Sequence, residues 1–358
     1  MNEPSLEIAA DETRAMEPRL AIDAAALDRH LAAQLPGYRG PLSIRQFTGG
    51  QSNPTYLLQT PTARYVLRRK PPGELLPSAH AVDREFRVMS ALGQAGLPVP
   101  RTLLLCEDAA VIGTMFYLMA FVEGRHFWDP TLPGLAPAER AALYDAMNAA
   151  LAELHRADPA ALGLGDFGRP GNYFARQIAR WSKQYKASET QPIAAMERLI
   201  AWLPDHVPEG EETAVVHGDY RIDNLIFHPT EPRVLAILDW ELSTLGHPLA
   251  DIAYNAMAWR FPPALFRGIG GLDLEALGIP SEAEYLAAYC RRTNRAAVPY
   301  WPFYMAYSMF RIAAILQGVY ARALAGNAAD ARGLEMGVKA APIAEIAWDE
   351  AKRAGARG

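Results

Sequence analysis

The chain has 358 residues, half of them hydrophobic and 21% charged, which excludes long disordered tracts and exceeds what one small core usually organises, so two lobes or two domains are expected. The formal net charge is −5 and no stripe of Lys and Arg runs along the chain, so nucleic acid is not an expected partner. Cys106 and Cys290 are the only cysteines, too few for a disulfide framework or a structural zinc site, which fits a reducing cytoplasm.

The opening stretch MNEPSLEIAADETRAMEPR has no apolar core, so it reads as neither a secretory signal nor an anchor. Residues 1–30 are expected to form a flexible tail, because terminal segments without a strong apolar pattern rarely dock. No apolar run approaches the length of a membrane span, and no membrane partner is expected. From about residue 40, short β-prone runs alternate with turn residues. Residues 56–59 and 65–69 read as paired strands around Thr60, Pro61 and Thr62. Val82, Phe86 and Met89 recur at helical spacing, and Gly93, Gly96 and Pro98 mark that helix's end. Residues 116–122 form an apolar strand that runs into a hinge at Glu123 and Gly124. Beyond it, residues 138–155 and 173–202 read as amphipathic helices, the second broken near Pro192. Val215 and Val216 precede HGDYRIDN, and residues 234–238 precede Asp239, so two apolar strands each end in a polar cluster. Residues 250–352 are again helical, with a Gly- and Pro-rich interruption at 261–280. The order is α+β, with a strand-rich N-lobe at 31–122 and a mostly helical C-lobe at 123–358.

His217-Gly218-Asp219-Tyr220-Arg221-Ile222-Asp223-Asn224 carries the clearest chemistry. Phosphoryl transfer needs a carboxylate to receive the attacking hydroxyl's proton, and an Asn and an Asp to hold magnesium on the phosphates. The kinase catalytic loop H-R-D-L-x-x-x-N places Asn five residues after Asp, the separation of Asp219 from Asn224. Asp239 follows at the end of the next apolar strand, within D-W-E rather than D-F-G. Loss of that glycine argues against a flipping activation segment. A turn-forming role remains open for each residue alone, and His217 is assigned to structure. Kinases also end a strand with a phosphate-pairing cation in V-A-I-K. Here the tetrad is Tyr65-Val66-Leu67-Arg68, with Lys70 as the rival cation on the same strand face. Arg68 is favoured, because choosing Lys70 puts Arg69 at the apolar position before it. Glu85 is its expected partner, since it borders the buried Val82, Phe86 and Met89 face; a solvated helix charge is the alternative.

The segments VVHGDYRIDNLIF and LAILDWELSTLGHPLADIAY together resemble the aminoglycoside phosphotransferase (choline kinase-like) family. The resemblance extends from FTGGQSNPTYLL through YVLRRKPPGELLPSAHAVDREFRVM to FRIAAILQGVYARAL, and the wording is most similar to the branch fused to acyl-CoA dehydrogenases and to bacterial hydroxyacyl-CoA kinases. It implies a protein-kinase-like two-lobed fold, ATP and Mg2+ as cofactors, and a small-molecule alcohol as acceptor. It also implies phosphate contacts from Ser52 and Asn53, although the Gly49 to Asn53 segment alone reads equally as a turn. Adenine would meet the Ala120 carbonyl and the Val122 amide. Asp251 would brace the catalytic loop, beyond the N-cap role its helix position suggests.

The acceptor is less sharply specified. A polycationic aminoglycoside needs an acidic pocket, whereas a coenzyme A thioester needs cations and an apolar channel. The C-terminal helices hold Arg291, Arg292, Arg295, Arg311 and Arg322 beside Tyr300, Trp301, Phe303, Tyr304, Tyr307 and Phe310. This balance favours an anionic or apolar acceptor, with a hydroxyacyl-CoA as the leading candidate. Arg311, in MFRIAAIL, and Tyr307 are the substrate-contact candidates, against a core role for the aromatic row. The alternatives are an aminoglycoside or choline-type kinase, and a pseudokinase that binds nucleotide or acyl-CoA without chemistry.

Overall fold

Alternation dictates the first sheet: Tyr56, Leu58 and Leu67 share one face, while Leu57, Val66 and Arg68 share the other, and all are buried. The computed structural model describes residues 13–48, 53–73, 80–326 and 333–357. The chain divides into two units, Met1–His126 with Leu225–Glu241, and Phe127–Asn224 with Leu242–Gly358.

In the first unit, β1 (Thr13–Arg14), β2 (Ser43–Phe47), β3 (Thr55–Gln59), β4 (Arg64–Arg69), β5 (Thr102–Cys106) and β6 (Phe116–Ala120) form an antiparallel sheet in the order β1-β2-β3-β4-β6-β5. The β3–β4 turn closes where the Thr60 hydroxyl oxygen accepts the Ala63 amide at 3.0 Å. Helix α1 (Ala24–Gln34) places Leu27 and Leu31 in one core cluster with Tyr56, Leu58, Leu67, Phe116 and Leu118. Helix α2 (Val82–Gln94) turns Glu85, Val88, Met89 and Leu92 inward and packs on β5 and β6.

The flexible tail expected through residue 30 is therefore corrected from Thr13 onward. Thr13 pairs with Phe47 at the sheet edge, and the Asp23 carboxylate caps α1 by accepting the Ala25 and Ala26 amides at 3.0 Å. Three apolar residues, Ile22, Leu27 and Leu31, dock this segment, a pattern too sparse to stand out in sequence. Leu31→Ala is expected to lower the unfolding free energy by about 2–5 kcal/mol, measured by denaturant titration; a shift below about 0.5 kcal/mol would restore the tail reading.

The two units also depart from the expected division at residues 122 and 123. Strands β7 (Arg125–His126), β9 (Leu225–Phe227) and β10 (Val234–Ile237) form a second antiparallel sheet in the order β10-β9-β7, and this ribbon belongs to the first unit. Gly124 enters it where a Cβ would lie 2.3 Å from the Phe227 carbonyl, so no larger residue fits. The Ile237 amide donates to the Pro98 carbonyl at 2.8 Å, tying β10 to the segment after α2.

In the second unit, β8 (Ala214–Val216) pairs with β11 (Thr244–Gly246). Helices α3 (Pro137–Arg156) and α6 (Pro248–Ala256) pack on this ribbon, and α4 (Tyr173–Ala187) and α5 (Ala194–Trp202) follow α3 in the chain. The expected break near Pro192 falls between α4 and α5. The Trp301–Leu324 helix is buried over most of its length, against α4, α6 and the Ala340–Arg353 helix. Two short helices, Pro263–Phe266 and Leu274–Leu277, lie within the expected interruption at 261–280. Among the described residues no helix is long and apolar enough to cross a membrane.

Candidate active site

In the first unit, β4 delivers Arg68 to the face covered by α2, where its Nε lies 3.0 Å from Glu85 Oε2. Its Nη2 reaches Asp239 Oδ1 at 2.8 Å and Glu241 Oε2 at 3.1 Å. One planar guanidinium thus joins three carboxylates, a task for which its fixed fork suits it better than an ammonium. Burial opposes the Arg68 charge, but Glu85 and Asp239 more than offset this and raise its pKa well above the ordinary arginine value. Glu85 is 1% exposed and accepts further bonds from Asn53 Nδ2 at 2.8 Å and the Tyr117 hydroxyl at 3.0 Å. Lys70 lies apart, 3.8 Å from Asp83. Asp239, two residues after the end of β10, adopts φ 64°, a left-handed conformation that Asp tolerates better than most residues. Its side chain remains about one-third exposed.

In the second unit, the buried strand β8 leads into His217, Gly218 and Asp219. Gly218 takes φ 83°, and a Cβ there would stand 2.7 Å from the Leu242 carbonyl, so the bend requires glycine. Asp251, in the first turn of α6, accepts the His217 amide at 2.5 Å and the Gly218 amide at 2.8 Å. His155 Nε2 lies 3.3 Å from Oδ2, the oxygen that also accepts the His217 amide. Burial pushes the Asp251 carboxyl up, yet His155, His217 and the Gly218 amide more than reverse this and hold it below its usual value. A carboxyl depressed in the folded state adds stability above its unfolded pKa and loses it as pH falls through the folded value. Asp251→Asn is expected to cost about 1.5–3 kcal/mol near neutral pH. That deficit should narrow in denaturant titrations as pH drops below about 4, and a deficit independent of pH would exclude the charged brace.

Asp219 emerges from this braced bend with both carboxylate oxygens engaged. Oδ1 accepts the Tyr254 hydroxyl at 2.6 Å and faces Arg221 Nε at 3.3 Å, while Oδ2 accepts Asn224 Nδ2 at 3.1 Å. The same amide donates to the Asp219 carbonyl at 2.8 Å, which explains the five-residue spacing: the Ile222–Asn224 turn folds Asn224 back onto Asp219. Burial and the Asp219 charge raise the Tyr254 pKa well above the ordinary tyrosine value, so its hydroxyl stays a donor. Each carboxylate oxygen has two lone-pair directions, so Oδ2 retains one for an incoming hydroxyl. Asn224 Oδ1 and the Asp239 carboxylate are hard oxygen donors of the kind Mg2+ accepts.

The remaining expected residues divide clearly. Ser52 lies outside the described residues. For Asn53 a side-chain contact is corrected: the side chain is fully buried, with Nδ2 on Glu85 and Oδ1 2.9 Å from His80 Nδ1, so it braces Glu85 and leaves only the backbone for a phosphate. Ala120 ends β6, its amide donating to the Arg101 carbonyl at 2.8 Å, and Val122 follows outside the strand. His217 is fully buried, and its Nδ1 accepts the Asp219 amide at 3.2 Å. Tyr307 is also corrected: it is 1% exposed and packs edge-on to Phe174 at 5.0 Å, a core position. Arg311 is buried over the rings of Tyr254 at 5.2 Å and Trp181 at 5.6 Å, and among the described residues no carboxylate lies within ion-pair distance of it. Sequence reasoning missed Glu241, Tyr117, Arg221, His155 and Tyr254. Tyr117 was legible only through register, as the cross-strand partner of Arg68; Tyr254 stands one helical turn after Asp251.

Comparison with known proteins bears on the fold and the family. Acyl-CoA dehydrogenase family member 10 of Mus musculus is 49% identical over 355 residues, spanning 98% of this chain but 33% of that protein. The chain thus spans about a third of that relative's length. A crystal structure from Ralstonia eutropha, which carries a provisional aminoglycoside phosphotransferase name, is 53% identical with a TM-score of 0.85, covering 93% of this chain and 99% of that one. A thermostable aminoglycoside phosphotransferase APH(4)-Ia, solved in ternary complex with ADP and hygromycin B, is 16% identical with a TM-score of 0.60 over 93% of this chain and 100% of that one, a likeness of fold. The model of the phosphotransferase enzyme family (APH) matches residues 43–305. With a kinase-like fold, a braced Asp219 and Asn224 loop, and a buried Arg68 and Glu85 pair, the chain belongs to the phosphotransferase enzyme family, whose members transfer a phosphoryl group to a hydroxyl of a small molecule.

Proposed function

We propose that this chain transfers the γ-phosphoryl group of ATP to the hydroxyl of a hydroxyacyl-CoA. The observation that carries the transfer chemistry is Asp219, held on both oxygens with one lone pair left for a substrate hydroxyl. The acceptor oxygen bonds to the γ-phosphorus, its proton passes to Asp219, and the bond from that phosphorus to the bridging oxygen breaks, its electron pair leaving with ADP. Asn224 and Asp239 are the proposed Mg2+ donors, and Mg2+ when bound would neutralise charge on the phosphates. Arg68, kept charged and oriented by Glu85, positions the phosphates together with Ser52; adenine meets the Ala120 carbonyl and the Val122 amide.

The acyl-CoA part rests on the relative named as an acyl-CoA dehydrogenase family member and on the apolar, arginine-bearing character of the helical unit. A cationic aminoglycoside is the rival acceptor, suggested by the names of the solved structures. Mg2+-dependent ATP turnover with short 4-hydroxyacyl-CoA esters, compared with kanamycin, separates them. Turnover with the esters at least about a hundredfold above kanamycin in kcat/KM is expected; the opposite order would transfer the assignment to antibiotics.

A further inference from the structure

Beside Asp219 the second unit contains a cavity of about 50 Å³ that no step above uses. It connects to the reacting carboxylate through two of its own walls. Tyr254 donates to Asp219 Oδ1 at 2.6 Å, and Arg221 Nε lies 3.3 Å from the same oxygen. The rest of the lining is largely aromatic and apolar, with Trp128, Met257, Trp259, Phe261 and Phe266. Its charged lining is Arg221, Arg267 and the buried Asp223 to which both arginines are paired, and Arg267 also lies over the Trp128 ring at 5.1 Å. A polycation would meet two arginines here and no carboxylate that lacks one. A mainly aromatic and apolar lining with a few fixed polar groups is the usual make-up of a small-molecule pocket.

We propose that this cavity holds the alkyl end of the acceptor, the carbons beyond its reacting carbinol, and thereby sets the chain length this enzyme phosphorylates. The inference rests on the kinase reading above and adds the chain length of the acceptor. At roughly 10–15 Å³ per water-sized group, 50 Å³ accommodates three to five such groups. A methyl or ethyl terminus fits; a hexyl terminus does not. The carbinol then stands at Asp219, while the carbonyl-bearing part of the acceptor points out of the cavity.

The test uses 4-hydroxyacyl-CoA esters whose chain beyond the carbinol is a methyl, ethyl or hexyl group. For the unaltered protein, kcat/KM should fall at least about tenfold from methyl to hexyl, which corresponds to about 1.4 kcal/mol. Phe266→Ala opens the wall at a half-buried position and should raise the hexyl-to-methyl ratio at least about tenfold. An unchanged ratio in a folded, active variant would overturn the proposal. A second readout needs no turnover: the Met257 methyl resonance, assigned with Met257→Leu, should shift with the methyl and ethyl esters and remain still with kanamycin. A shift without phosphorylation by any ester would sink the kinase reading and leave the cavity assignment standing. Turnover of the methyl ester with a motionless Met257 signal would do the reverse.

Discussion

Asp219→Asn is expected to leave nucleotide affinity within about twofold of the unaltered protein and to reduce kcat by about 10²–10⁴-fold. The amide keeps the shape of the carboxylate, and its one oxygen can still accept from either Tyr254 or Asn224, so one of the two contacts that hold position 219 is kept. It lacks the charge that receives a proton and that faces Arg221. The loss should appear in kcat, because a group acting on the reacting hydroxyl is not needed to hold the nucleotide. Equilibrium binding of a non-hydrolysable ATP analogue, beside steady-state kinetics, checks both halves. A fall in affinity with unaltered kcat would move Asp219 from chemistry to binding.

Arg68 substitutions should have the largest effect on stability. Arg68→Ala leaves Glu85 1% exposed with no cation beside it, and breaking a buried pair from one side costs about 3–5 kcal/mol. The Tyr117 and Asn53 donors soften that cost without replacing the charge. Arg68→Lys retains a charge, but one ammonium cannot serve Glu85, Asp239 and Glu241 in the geometry the guanidinium fork provides. It should therefore keep the fold by circular dichroism while lowering kcat/KM about tenfold or more. Equal stability loss in the two variants would mean that the hydrogen-bonding geometry of the guanidinium, and not a positive charge alone, is what the site requires.

The parts of this site legible in sequence were those whose chemistry is local. The separation of Asn224 from Asp219 is the separation of a residue that folds back onto the same loop, and the Asn224 amide does so at 2.8 Å. Arg68 and Glu85 lie on elements with clear periodicity, so their faces could be assigned before their contact was seen. Distant partners were not legible. Tyr117 meets Glu85 only through the register of β4 with β6, and the β9–β10 ribbon joins the first unit through β7, about a hundred residues earlier in the chain. Asn53 misled because an amide after a glycine pair looks the same whether it faces a ligand or an internal carboxylate. Tyr307 misled because an aromatic row at helical spacing carries no sign of which side is wall and which is core. Residues 13–34 were hidden by dilution, three apolar anchors among alanines and charges.

Phosphoryl transfer itself is tested most directly by following the atoms. ATP carrying heavy oxygen on its γ-phosphate, incubated with Mg2+ and the methyl-ended 4-hydroxyacyl-CoA ester, should yield a phosphoester whose phosphorus holds the label and whose bridging oxygen comes from the alcohol. Asp219→Asn should abolish that product over the same interval. Labelled free phosphate with no labelled ester, or equal labelling by the variant, would contradict transfer to an alcohol through Asp219.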